Sequence, residues 1–356
     1  MQQDTRPDAP RHTEDDDSVP VVRALLGGGL MGLANLVPGI SGGTMILAIG
    51  LYDRFIGAVA DVTRLRLRLS TLLFLGLVVV GAGVAFAGLA GIAVQLVVEQ
   101  RWIMYSLFIG MTLGGAPELW RLSKPLGAGG VVALVAGFGL MVLFALGLSG
   151  TQLPRELWVY ALAGAIASGS MILPGISGSY VLLILGLYEV VVSSLSVSAL
   201  REDWRASLEV LVPIGIGAAL GMALLSNLLK ALLARFSSAS HAALLGLLLG
   251  SVIGLYPFQQ PVHPDLAQKH LRKATAMVLA GEEADEIRAE HGADLDDARL
   301  AELGARWEGS TPADLKRASE ELERFDPEPV QIGAALGLAL VGALLTRMLG
   351  RGSRSA

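Results

Sequence analysis

Long runs without a charged side chain dominate this chain. Eight stretches lack Asp, Glu, Lys and Arg: 24–52, 69–98, 102–117, 125–154, 157–188, 210–229, 236–262 and 329–346. A straight helix needs about 20 apolar residues to cross the hydrocarbon core of a bilayer. The pattern therefore predicts an all-α polytopic membrane protein. Two stretches, 24–52 and 157–188, are too long for one crossing and are interrupted near their middles. Pro38 and Gly39, with Gly42 and Gly43, break the first; Pro174 and Gly175, with Gly178, break the second. Proline removes a backbone donor, and glycine tolerates dihedrals that other residues avoid. Each half-helix is then shorter than a span. Both stretches are expected as re-entrant hairpins, with a long kinked helix as the alternative.

The pattern changes between 257 and 329. Ala, Glu, Asp, Leu and Arg recur there at helical spacing, as in Ala289–Leu303 and Ala313–Phe325. The expected organisation is a disordered acidic tail (1–20), a first membrane repeat (21–154) and a second (155–256). A helical soluble insert (257–329), a final transmembrane helix of the second repeat (330–350) and a basic tail (351–356) follow. Asp15, Asp16 and Asp17 mark the first tail as polar and acidic. No basic segment precedes a short apolar run with a cleavage site, so no signal peptide is expected.

The two halves align at a shift of 136 residues. Pro38-Gly39-Ile40-Ser41-Gly42 falls on Pro174-Gly175-Ile176-Ser177-Gly178, and Gly50-Leu51-Tyr52-Asp53 on Gly186-Leu187-Tyr188-Glu189. The same shift carries Gly81 to Gly217, Gly110 to Gly246 and Gly114 to Gly250. One hairpin and three spanning stretches make up each half. Three is odd, so the second half should enter from the opposite face, giving the inverted-topology repeat found in many secondary transporters.

Charge gives an orientation. With a cytoplasmic N-terminus, Arg64, Arg66, Arg68, Arg121, Lys124, Lys230, Arg235, Arg347, Arg351 and Arg354 fall inside. The short outer loops keep only Arg101, Arg155, Arg201 and Arg205. That bias follows the positive-inside rule and puts both termini in the cytoplasm. The insert then lies outside, although long loops obey the rule poorly. Composition agrees: 53% hydrophobic, 17% charged, 44 glycines and a mean hydropathy of +0.59. Cysteine is absent, which excludes disulfides and Cys-based zinc sites. No metal, cofactor or nucleic-acid partner is expected, and oligomeric state is left open.

A broken helix exposes N–H groups at the start of its second half, and helix N-termini favour anions. The candidate anion site is Ser41, Gly42, Gly43 and Thr44 with Ser177, Gly178 and Ser179, set by the helix breakers Pro38, Gly39, Pro174 and Gly175. Alternatively the glycines serve close packing and the serines cap helices. Asp53 and Glu189 are expected to end the second half-helices. They are proton- or sodium-coupling candidates at depth and ordinary solvated ends at the interface. Arg54 is a headgroup candidate whose counterpart is Val190. Glu118 and Arg121 read as a boundary ion pair. Tyr52, Tyr188, Trp102, Trp120 and Trp158 read as an aromatic belt.

On Asn35–Thr44 with Gly50–Asp53, and on Leu173–Ser179 with Gly186–Glu189, the chain resembles the bacterial PopT family of undecaprenyl-phosphate transporters. The resemblance covers most of the membrane portion but neither the acidic tail nor the insert. It implies a flippase of the cytoplasmic membrane that returns the polyprenyl-phosphate carrier of cell-wall synthesis from the outer to the inner leaflet. Three rivals remain. Gly39-Ile40-Ser41-Gly42 also fits an intramembrane serine protease, but of five histidines only His241 lies at a membrane segment. A transporter of another anion is the second. A structural scaffold is the third, and it has no need of two broken helices.

Overall fold

The computed structural model describes residues 19–35, 41–147, 153–194, 201, 203–291 and 295–351. Pro38 and Gly39 lie outside the described residues, as do most of the 1–20 tail and residues 352–356. The first half comprises α1 (Val21–Asn35), α2 (Gly42–Ala48), α3 (Tyr52–Thr63), α4 (Leu69–Glu99), α5 (Arg101–Leu122) and α6 (Ala128–Gly147). The second comprises α7 (Leu157–Ile172), α8 (Gly178–Ile184), α9 (Tyr188–Ser194), α10 (Trp204–Arg235) and α11 (Ser237–Gly254), and closes with α17 (Pro329–Arg351). Three described helices, α10, α11 and α17, are long and apolar enough to cross a membrane, and shorter apolar segments lie in α1, α4, α6 and α7. Leu220, Leu224, Leu336 and Leu340 stay more than 60% exposed, as side chains facing lipid would.

Helices pair through glycine. Without a hydrophobic force between helices in lipid, small residues that let backbones approach hold such pairs together. A Cβ at Gly28 would stand 2.0 Å from Val78 O and one at Gly81 2.2 Å from Leu25 O, which locks α1 along α4. Gly164 meets Ile214 O and Gly217 meets Ala161 O in the same way, locking α7 along α10. Every partner in the second pair is the first pair's partner shifted by 136 residues. The other two pairs cross between halves. Gly110 meets Ala339 O where α5 packs along α17, and Gly246 meets Leu134 O where α11 packs along α6. Here α6 corresponds to α17 at an offset of 205 residues, with Gly137 answering to Gly342. The excess of this offset over 136, 69 residues, reflects the inserted segment.

That segment is a helical body on a short two-stranded neck. Strand β1 (Gln259–Pro261) pairs antiparallel with β2 (Leu322–Arg324), Gln260 facing Glu323. Between them lie α12 (Pro264–Ala267), α13 (Lys269–Ala280), α14 (Ala284–His291), α15 (Asp297–Arg306) and α16 (Pro312–Glu320). Ala274, Ile287, Leu295 and Leu300 form its core. Asp265 bridges Arg299 and Arg306 at 3.1 and 2.7 Å. A capping box starts α16: Thr311 Oγ1 accepts from Asp314 N, and Asp314 accepts from Thr311 N at 3.0 Å. The Thr311 hydroxyl and N–H together hold the Asp314 carboxyl below its usual range. Its folded pKa is thus depressed. The stability it lends is present at neutral pH and is lost as acid passes through that folded value, below the ordinary Asp pKa of about 3.9. Thr311→Ala should weaken the start of α16 by about 1 kcal/mol. Faster amide hydrogen exchange confined to α16 in the full-length protein is the expected readout.

Candidate functional site

The duplicated motif builds two short helices with matching ends. Ser41 caps α2 with an extended backbone (φ −91°, ψ 122°), and Ser177 caps α8 likewise (φ −101°, ψ 128°). Ser41 Oγ accepts from Thr44 N at 3.4 Å, whereas Ser177 Oγ pairs with Ser179 Oγ at 2.9 Å. Gly50 (φ +74°) ends α2 and Gly186 (φ +69°) ends α8, where only glycine is unstrained. In both, the glycine N–H bonds three residues back and the next N–H five back, Leu51 to Ile46 and Leu187 to Leu182. Helix α2 runs back along α1: a Cβ at Gly42 would touch Met31 and Asn35, and Gly27 lies by Ile46 and Ile49. At the shift of 136, Gly178 touches Ala167 and Met171.

The two motifs meet. The Ser41 hydroxyl donates to Leu173 O at 3.2 Å, and Gly175 N donates to Thr44 Oγ1 at 2.9 Å. A Cβ at Gly43 would lie 2.9 Å from Met171 O, so the α2 start rests directly on the chain entering α8. Gly175 has φ +91° and presses on Ser251 and Leu247 O, which holds the second turn against α11. Pro174 and Gly178 are buried beside it. Ser41, Thr44 and Ser177 are only 3%, 2% and 4% exposed, yet each side chain has a hydrogen-bond partner. The structure thus brings the Ser41 and Thr44 hydroxyls onto the second turn, while Ser177 and Ser179 bond each other just beyond it. Ser179 is half-buried at its edge.

The flanking acids differ from expectation. Asp53 does not end a half-helix. The turn at Gly50 has already ended α2, and Asp53 lies in the first turn of α3, where a carboxylate complements the helix dipole. Its side chain is 62% exposed. Glu189 likewise stands in the first turn of α9, and its side chain lies outside the described ones. Arg54 stacks over the buried Phe74 ring at 5.1 Å. Glu118 and Arg121 do form an ion pair. Tyr52 is no belt residue: it is 3% exposed and donates to Ile172 O at 3.0 Å, a third bond between the halves. Its repetition within Gly-Leu-Tyr was the signal for that role. Trp120 and Trp158 are exposed, at 44% and 61%.

Helix α3 begins where the first uncharged stretch ends, a helix that the pattern of uncharged runs does not predict. It buries Tyr52, Phe55 and Ile56 and is tied to α10 by Lys230 Nζ to Asp61 at 2.7 Å and by Asn227 to Thr63 at 2.9 Å. His241, weighed in the sequence only as a base for a serine nucleophile, lies 3.8 Å from Asp53. Among the described residues no group of three His, Asp or Glu is placed to hold a metal ion.

No solved structure matches the chain. A polyprenyl-phosphate transporter of Vibrio cholerae is 29% identical over 246 residues, 65% of this chain and 76% of that protein. One of Staphylococcus aureus is 28% identical over 244 residues, 65% of this chain and 85% of its own length. Both relatives are named transporters, which sets the serine-protease reading aside; the Ser41 hydroxyl accordingly faces a carbonyl rather than an imidazole. A family model described as undecaprenyl phosphate translocase-like matches residues 31–271, which include both motifs and ten of the membrane-region helices. The chain therefore belongs to the undecaprenyl phosphate translocase-like family of membrane transporters.

Proposed function

We propose that this protein carries undecaprenyl phosphate from the outer to the inner leaflet of the bacterial cytoplasmic membrane for reuse in envelope synthesis. The observation that carries this reading is the junction of the two Ser-bearing turns, buried yet lined with donors. A bare phosphate in hydrocarbon is prohibitively costly, so a path for it must supply polar partners at depth. Ser41 Oγ–H and Gly175 N–H now bond to Leu173 O and Thr44 Oγ1. Phosphate oxygens accept from the same two donors. Binding would exchange bonds between the halves for bonds to the headgroup, and so free the halves to move. Gly42, Gly43, Gly178 and Ser179 complete the cradle, while the prenyl tail stays in lipid.

In this reading α1–α2 and α7–α8 are re-entrant pairs of an inverted repeat, the termini are cytoplasmic and Arg54 meets the headgroup on entry. Matching helix pairs and matching glycine contacts at one register support the symmetry. A proton or sodium gradient drives the cycle, with Asp53 and Glu189 as the coupling acids. The test is movement of undecaprenyl phosphate between leaflets of liposomes holding the purified protein. Protein-dependent movement, faster under one gradient, is expected. No movement by a folded protein would leave a small-anion transporter sharing only the fold.

A further inference from the structure

His241 lies in α11, 4% exposed, at the wall of a cleft of about 210 Å³ that Asp53, Lys230 and Ser237 also line. Its Nδ1 is 2.7 Å from Ser237 O. A carbonyl only accepts, so Nδ1 carries a hydrogen. In the neutral ring Nε2 is then a bare acceptor. That atom is buried, finds no hydrogen-bond partner among the described residues and faces the Asp53 carboxylate at 3.8 Å. An unprotonated nitrogen turned toward a carboxylate gains nothing there; a protonated one gains an ion pair. We propose that His241 and Asp53 form a proton-binding site in which Nε2 takes up a proton from the cleft and closes on the carboxylate.

Other charges around the ring are accounted for. Lys230 of α10 is held by Asp61 of α3 at 2.7 Å, which leaves Asp53 to the imidazole. Glu118 of α5 acts on the ring from further away, and α6 brings no titratable side chain. The site is tied to the junction by covalent structure. Asp53 adjoins Tyr52, whose hydroxyl reaches Ile172 O, and α2 links it through Gly50 to Thr44 and Ser41. Drawing Asp53 toward α11 therefore strains the bonds of the first turn and of Tyr52 to the chain entering α8. The register of His241 in the first half is Tyr105, so the repeat sets no histidine at the position that would answer to His241 beside Glu189.

The coupling step rests on the transport reading; the proton site does not. The experiment uses the full-length protein with ¹⁵N-labelled histidine in nanodiscs, His241→Gln assigning the signal. A pH titration of that signal which differs between wild type and Asp53→Asn is expected. Identical titrations overturn the pair. In liposomes, the rate of undecaprenyl phosphate movement with a proton gradient, divided by the rate without, should exceed 1 in the wild type and fall to about 1 in His241→Gln. A ratio unchanged by the substitution overturns the coupling. A wild type that titrates as expected yet moves no lipid under any condition keeps the proton site and removes the transport reading.

Discussion

Gly217→Ala should destabilise the protein by at least about 3 kcal/mol and leave little of it folded. A Cβ at this position would stand 1.8 Å from Ala161 O and 2.6 Å from its carbonyl carbon. Both atoms belong to helix backbone, so no rotamer change relieves the overlap. Helices α7 and α10 must separate, and the close contact that holds them in lipid is lost along its length. Two residues away, Gly215 meets nothing within 4 Å. Gly215→Ala should therefore be neutral or stabilising by up to about 1 kcal/mol, because alanine favours helix. Thermal unfolding of the two variants in one detergent makes the comparison. A Gly217→Ala protein as stable as Gly215→Ala would mean that the α7–α10 pairing is wrong.

The second large effect concerns affinity. Ser41→Ala with Ser177→Ala should weaken binding of a short-chain polyprenyl phosphate by about 100-fold or more. Each hydroxyl bond to a charged group contributes roughly 1.5–3 kcal/mol, and about 1.4 kcal/mol is a factor of ten. Ser41 also caps α2, so a fall in stability of about 1 kcal/mol is expected and is measured separately by unfolding. Competition by inorganic phosphate distinguishes headgroup recognition from tail binding. Affinity unchanged in a folded double variant would remove the junction as the phosphate site. Thr44→Val should act differently. It strands the buried Gly175 N–H, so stability falls by about 1–3 kcal/mol and the halves loosen before any lipid binds.

Much of this was legible in the letters because the repeat is written in residues with few substitutes. Positive φ demands glycine at 50 and 186, and close backbones demand it at 81 and 217, so the 136-residue register survives. The correspondence of α6 with α17 could not be read the same way. The insert shifts it, and apolar helices tolerate almost any apolar letter. Helix α3 is hard to read because Asp53, Arg54 and Asp61 end an uncharged run and resemble a loop. Its apolar positions face inward at helical spacing, which a search for uncharged stretches discards. The meeting of Asp53 with His241 depends on how α3 packs on α10 and α10 on α11, and no local pattern carries that. The junction itself was half legible. The motifs announced two donor-rich turns, but Ser41 on Leu173 and Thr44 on Gly175 appear only when the halves are brought together.

The crossed pairing bears on how the protein is made. Helices α5 and α6 each find their long partner in the other half, α5 in α17 and α6 in α11. While the ribosome is still translating the insert, α5 has left it but α17 has not. The newborn first half must wait in the bilayer with the Gly110 face uncovered, exposed to quality-control proteases and to the wrong partner. Neither half completes its helix pairing alone, and a chain stopped before residue 329 leaves α5 without its long partner.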